Sequence, residues 1–212
     1  KNISKQNQKQ SSYKDFVAGI HYVKTSKIIL SLMCVSIILN FFIAGPGSMA
    51  IPLIANDVLH GTALHLSALE ISIAIGMIVG AFLIGIINPK RKRGYIVLGQ
   101  LLFLGIAMVF LSIVTTLWQG VLIFILIGLG ITAGDIPIKS MIQEKTDPQK
   151  LGRVMGLMST ASNGLIPLSF GVTSLAISFN ISISHILLVC GICVLCFFLI
   201  IFLLSKKLRS VD

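Results

Sequence analysis

The chain has 212 residues, 55% of them hydrophobic and 11% charged. Soluble domains carry about 25% charged residues, so a mean hydropathy of +0.97 excludes a domain that dissolves in water. The net charge of +10 does not mark a nucleic-acid binder, because the basic residues flank apolar runs and no aromatic side chains interleave them as stacking platforms.

Residues 1–13 are polar and predict a disordered tail. Residues 14–27 set Phe16, Ile20 and Val23 at helical spacing with lysines on the other faces, which predicts a short amphipathic helix lying on the inner membrane surface. Lys1 stands where Met would, so the chain is expected to be a fragment or a processed product. A bilayer crossing needs about 20 apolar residues. Six runs qualify: Ile28–Ile54, Leu66–Ile87, Tyr95–Leu117, Gln119–Ile142, Val154–Phe179 and Ile183–Leu204. The expected division is a polar tail and linker helix over 1–27, a six-helix transmembrane domain over 28–204, and a tail over 205–212.

The 17 Lys and Arg residues sort by segment. They fall in Lys1 to Lys27, Lys90 to Arg93, Lys139 to Arg153 and Lys206 to Arg209, and the alternate gaps hold none. A chain crossing six times returns to one side at every second gap, and positive charge stays on the cytoplasmic side. The pattern predicts a multi-pass protein of the cell membrane, in lipid contact throughout, with both termini cytoplasmic. Trp118 at one interface and Tyr95 at the other fit aromatic belts.

Small residues recur at helix-contact spacing. Gly76 and Gly80 form GxxxG in the second span, and Gly130 and Gly134 repeat it in the fourth. In the fifth, Gly156, Thr160, Gly164, Pro167 and Gly171 make one smooth stripe. Such faces let backbones approach where lipid supplies no hydrophobic drive; they serve either static packing or helices that rock during a transport cycle. Pro46, Pro137 and Pro167 lie inside spans and can kink them.

Ionisable groups in lipid are costly and read as functional. Asp135 leads. Lys139 is one turn later, so Asp135 is either neutralised by that lysine or is a proton or cation site facing an aqueous cavity. Asn40, Gln100 and Asn163 are amides inside spans, candidates for interhelical hydrogen bonds or for lining a substrate cavity. Cys190, Cys193 and Cys196 lie within the last apolar run without a fourth ligand and read as small apolar filler. His60, His65 and His185 match no metal-site spacing. There is no H-E-x-x-H, Walker A or G-x-S-x-G sequence, so no catalytic residues, metal or cofactor are expected.

The most specific stretch runs from Gln143 through Asp147-Pro148 and Gly152-Arg153-Val154 to Gly156. It resembles the loop before the eleventh helix of major facilitator superfamily transporters. Phe16 to Val23 resembles the helix preceding their seventh span, in the macrolide- and multidrug-efflux-like branch. The resemblance covers essentially the whole chain, mapped onto spans seven to twelve. It implies an all-α membrane fold, one six-helix half built as a 3+3 inverted repeat, with a substrate site near the bilayer midplane. It also implies a proton-coupled antiporter exporting small amphipathic drugs, hence antibiotic resistance, with an N-terminal six-helix half as partner. Gly85 to Gly94 departs from the family's latch motif: the basic cluster is present and the acidic residue is missing. A six-helix immunity, sensor or assembly protein, or the permease of an ATP-driven transporter, remains the alternative from another class.

Overall fold

The computed structural model describes residues 20–87 and 93–204. The tail 1–19, with Phe16, the basic cluster 88–92 and the tail 205–212 lie outside the described residues. Among those described there is no strand. Helix α1 is Lys27–Val58, α2 Ala63–Ile87, α3 Arg93–Leu111 and α4 Leu117–Lys145. Then come α5 Leu151–Gly164, α6 Ile166–Ser178 and α7 Ile183–Leu204. Five of these, α1 to α4 and α7, are long and apolar enough to cross a membrane.

The fifth predicted run is interrupted. The sequence predicts one helix over Val154–Phe179; the chain instead forms α5 and α6, of 14 and 13 residues, joined at Leu165. Pro167 explains the break, because it lacks an N–H and its ring crowds the carbonyl four residues back, while Gly164 adds no side chain to hold the turn. Leu165 keeps right-handed helical angles (φ −86°, ψ −12°), so α6 continues from α5. The third span also ends earlier than Leu117 as predicted: α3 stops at Leu111 and a turn follows. Gln119 causes the restart there, its Oε1 accepting from the amides of Thr115 (3.0 Å) and Thr116 (3.3 Å) to cap α4.

Helix α2 is assembled small side inward. In α2 the buried positions are Leu69, Ser72, Gly76 and Gly80, while Ile71, Ile75, Ile78, Phe82 and Ile86 point out. Both sets repeat every three or four residues. The large side chains go to the lipid, which is as apolar as they are, and the small ones permit close backbone contact. A Cβ on Gly76 would collide with the Ile125 carbonyl, one on Gly80 with Leu129, and one on Gly128 with the Ile73 carbonyl. Thus α2 and α4 touch backbone to backbone. Gly130 serves a different neighbour, facing Phe103 and Leu104 of α3. Helix α3 is pinned between α4 and α7, with Gly105 and Gly191 abutting at the α7 crossing. Helix α1 closes the bundle against α4, α5, α6 and α7.

Two π-helical stretches, Asn40–Ala44 and Ile54–Val58, interrupt α1. In π register the Phe41 carbonyl looks to the amide five residues on, which belongs to Pro46 and has no hydrogen. The Ser169 hydroxyl of α6 donates to that carbonyl instead. Gly45 leaves the room, since a Cβ there would strike Ser169.

Residues 20–25 are helical, but their apolar side is not spread on lipid as the amphipathic spacing predicts. Val23 is 4% exposed and belongs to the bundle core. The Tyr22 hydroxyl accepts from the Asp147 amide at 3.2 Å, and the Lys150 ammonium sits 4.7 Å from the Tyr22 ring centre. The segment is therefore clamped to the α4–α5 loop.

Candidate functional site

An open cavity of about 260 Å³ lies between α1, α4 and α5. From α1 it receives Ser36 and Asn40, from α4 Asp135 and Lys139. Helix α5 adds Met155 and Met158 and the polar Ser159, Ser162 and Asn163. A smaller hollow of about 110 Å³ continues from Asn40 and Asp135 toward Leu104 and Ile131. Such polarity within apolar helices marks a water-accessible face. Small-molecule pockets usually enclose about 300–1,000 Å³, and this open cavity falls just below that range.

Local sequence sets the geometry. Asn40 opens the first π-helical stretch of α1, and its Nδ2 donates to the Ser36 carbonyl at 2.9 Å, leaving Oδ1 for the cavity. Asp135 sits two residues before Pro137, which supplies no amide for the Ala133 carbonyl, so α4 is weakened beside the carboxylate. On α5, Asn163 Nδ2 donates to Ser159 Oγ at 3.1 Å. Ser162 is 7% exposed, and its hydroxyl has no hydrogen-bond partner.

Asp135 and Lys139 line the same cavity without forming an ion pair. The carboxylate takes its hydrogen bond from another helix, from Gln100 Nε2 at 3.5 Å. Of the three amides expected to line a cavity, Asn40 and Asn163 do so. Gln100 does not. It is 5% exposed, lodged between α3 and α4, and its Nε2 also donates to the Ile131 carbonyl at 3.2 Å. The reason is Gly134, whose missing side chain leaves the notch that the Gln100 carboxamide fills.

The fifth-span stripe differs from the glycines of α2 and α4. Beside Gly156, Gly164 and Gly171 lies open space, and Thr160 and Pro167 are exposed. The stripe packs on nothing within the bundle. Gly152 and Arg153 are exposed in the first turn of α5, next to the loop that holds Tyr22.

Three features escaped sequence reading. Gly128, Gly105 and Gly191 make helix contacts as close as those of the GxxxG pairs; Gly105 and Gly191 are lone glycines on their contact faces, and Gly128 shares its face toward α2 with Gly120, eight residues earlier. Ser169 carries no signal until Pro46 is placed opposite it. Arg93, from the basic cluster that lacks its family acid, pairs with Glu144 of α4 at 2.7 Å and with Ser140 at 3.4 Å. Glu144 lies 51 residues further along the chain.

Comparison with known proteins agrees with this architecture. The profile of the Major Facilitator Superfamily matches residues 1–170. Macrolide efflux protein A of Streptococcus pyogenes is 26% identical over 198 residues, covering 92% of this chain and 48% of that protein. Macrolide efflux protein A of Enterococcus faecalis is 28% identical over 154 residues, covering 71% of this chain and 47% of that protein. The chain thus spans about half the length of the curated relatives it matches.

Proposed function

The chain belongs to the Major Facilitator Superfamily, and from that membership we propose that it is one half of a proton-driven exporter of small amphipathic molecules, macrolides among them. The observation that carries this is a polar cavity containing a single carboxylate, Asp135, on an open face of an otherwise apolar bundle. A second six-helix unit covers that face and completes the pocket, and the unpacked stripe at Gly156, Gly164 and Gly171 gives it a smooth surface to approach and slide upon. Relatives about twice as long that are named for macrolide efflux support such a partner.

In this reading the two halves rock about the midplane site. Asp135 takes a proton when the cavity opens outward and releases it inward, and the return stroke carries substrate out. Asn40, Ser162 and Asn163 offer hydrogen bonds to the substrate, while Met155 and Met158 adapt to its apolar surface. The protein sits in the cell membrane, with residues 1–27 and 205–212 cytoplasmic as the basic segments indicate.

Accumulation of a fluorescent macrolide in cells or vesicles expressing the full-length protein, under an imposed proton gradient, tests the proposal. Asp135→Asn is expected to abolish gradient-driven efflux while the protein remains folded. Undiminished efflux by that variant overturns it.

A further inference from the structure

We propose that Gln100 is a positioning residue for Asp135, holding a hydrogen-bond donor against the carboxylate from behind the cavity wall. The inference rests on the reading of Asp135 as the group that takes up and releases the proton.

Gln100 and Asp135 belong to different helices and meet because Gly134 leaves a notch for the carboxamide. The Nε2 atom carries two hydrogens and lies within donor reach of two acceptors, the Ile131 carbonyl at 3.2 Å and Asp135 Oδ1 at 3.5 Å. The Ile131 carbonyl can only accept. A reversed amide would set Oε1 against that oxygen, so the backbone of α4 fixes which end of the amide faces Asp135. It always faces a donor. A donor complements the ionised carboxylate.

The other end of the amide shows that this is more than interhelical glue. Gln100 Oε1 is buried and accepts no hydrogen bond. A residue present only to join α3 to α4 would pair both ends, and leucine or methionine would fill the notch without stranding a buried acceptor. The arrangement satisfies Asp135 and leaves Gln100 unsatisfied. Lys139, on the same helix, is the other charged side chain lining the cavity. Helix α1 presents Ser36 and Asn40, and α5 presents Met155, Met158, Ser159, Ser162 and Asn163, none of which titrates. Gln100 is thus the contact through which α3 acts on the carboxyl group.

The test reads the carboxyl group directly and needs no transport. The full-length protein is treated with dicyclohexylcarbodiimide, which modifies protonated carboxyls in apolar surroundings, across a range of pH. Labelling of the Asp135 peptide is quantified by mass spectrometry, with Asp135→Asn as the unlabelled control. Gln100→Met keeps the volume and removes the donor. Its labelling midpoint is expected to rise by about one pH unit, since a lost hydrogen bond to the charged form favours the neutral one. Gly134→Ala, which fills the notch and displaces the carboxamide, is expected to move it the same way. Coincident midpoints, within about 0.2 unit, in folded wild type and Gln100→Met overturn the proposal. If Gln100→Met does not fold, Gln100→Leu replaces it with the same expected rise, and an unmoved midpoint is equally fatal. A shifted midpoint together with normal efflux by Asp135→Asn leaves the Gln100 contact standing and removes the proton-carrier reading alone.

Discussion

The Ser169 hydroxyl of α6 donates to the Phe41 carbonyl of α1, at the π-helical turn where Pro46 brings no amide. Ser169 is 2% exposed, so its removal strands a polar atom away from water. Ser169→Ala is expected to destabilise the protein by about 1–3 kcal/mol, the cost of a buried unpaired group. A fall in thermal midpoint in detergent, absent from an exposed control such as Ser174→Ala, is the measurement that checks it.

The α2–α4 contact depends on absent side chains. Gly76→Leu and Gly128→Leu each place bulk against a carbonyl of the facing helix and are expected to cost about 1–3 kcal/mol or more through overpacking. Gly156→Ala meets open space, so in this chain alone it changes stability by no more than about 1 kcal/mol, in the favourable direction of helix propensity. Chemical denaturation of the three variants side by side would expose an error if Gly156→Ala behaved like Gly76→Leu.

Lys139 faces the Asp135 cavity without bridging to the carboxylate. Lys139→Met is therefore expected to alter folding stability by less than about 0.5 kcal/mol, the range of exposed substitutions. A loss of several kcal/mol, restored by Asp135→Asn in the same molecule, would instead reveal a buried pair.

Tyr22 joins the segment before α1 to the α4–α5 loop by two contacts. Tyr22→Phe loses one hydrogen bond, about 0.5–1.5 kcal/mol, and keeps the ring beneath Lys150. Tyr22→Ala loses both. Amide exchange at residues 146–150 should rise slightly in the first variant and strongly in the second; equal protection in all three proteins would show that the clamp holds nothing.

The Arg93–Glu144 pair ties the start of α3 to the end of α4, but the glutamate side chain is 56% exposed. Water and salt screen it, and about 0.2–1 kcal/mol is the expected contribution. Glu144→Gln should lower the thermal midpoint in low salt and have almost no effect at 1 M salt, where screening is effective within about 3 Å.

The all-helical membrane class and the five long apolar helices were legible because they follow from a one-dimensional quantity, the length of an apolar run. The 14-to-13-residue break at Leu165 was foreshadowed by Pro167, yet prolines are tolerated in membrane helices often enough that the residue alone did not declare a break. Asp135 stood out because a carboxylate in an apolar run is costly wherever it points. Its partner could not be read. Lys139 was one turn away in sequence, whereas Gln100 became the donor through the notch at Gly134, and that depends on how α3 crosses α4.

The sequence by itself determined an all-helical membrane protein of the major facilitator type and singled out the carboxylate in its fourth apolar run. Only the tertiary structure decided which glycines touch a neighbouring helix and which lie open, that Gln100 stands behind the cavity wall and not in it, and that Glu144 answers Arg93. Hydropathy and charge are summed along the chain and survive without coordinates. A hydrogen bond or a backbone contact depends on a few ångströms across helices far apart in sequence, and packing alone sets that distance.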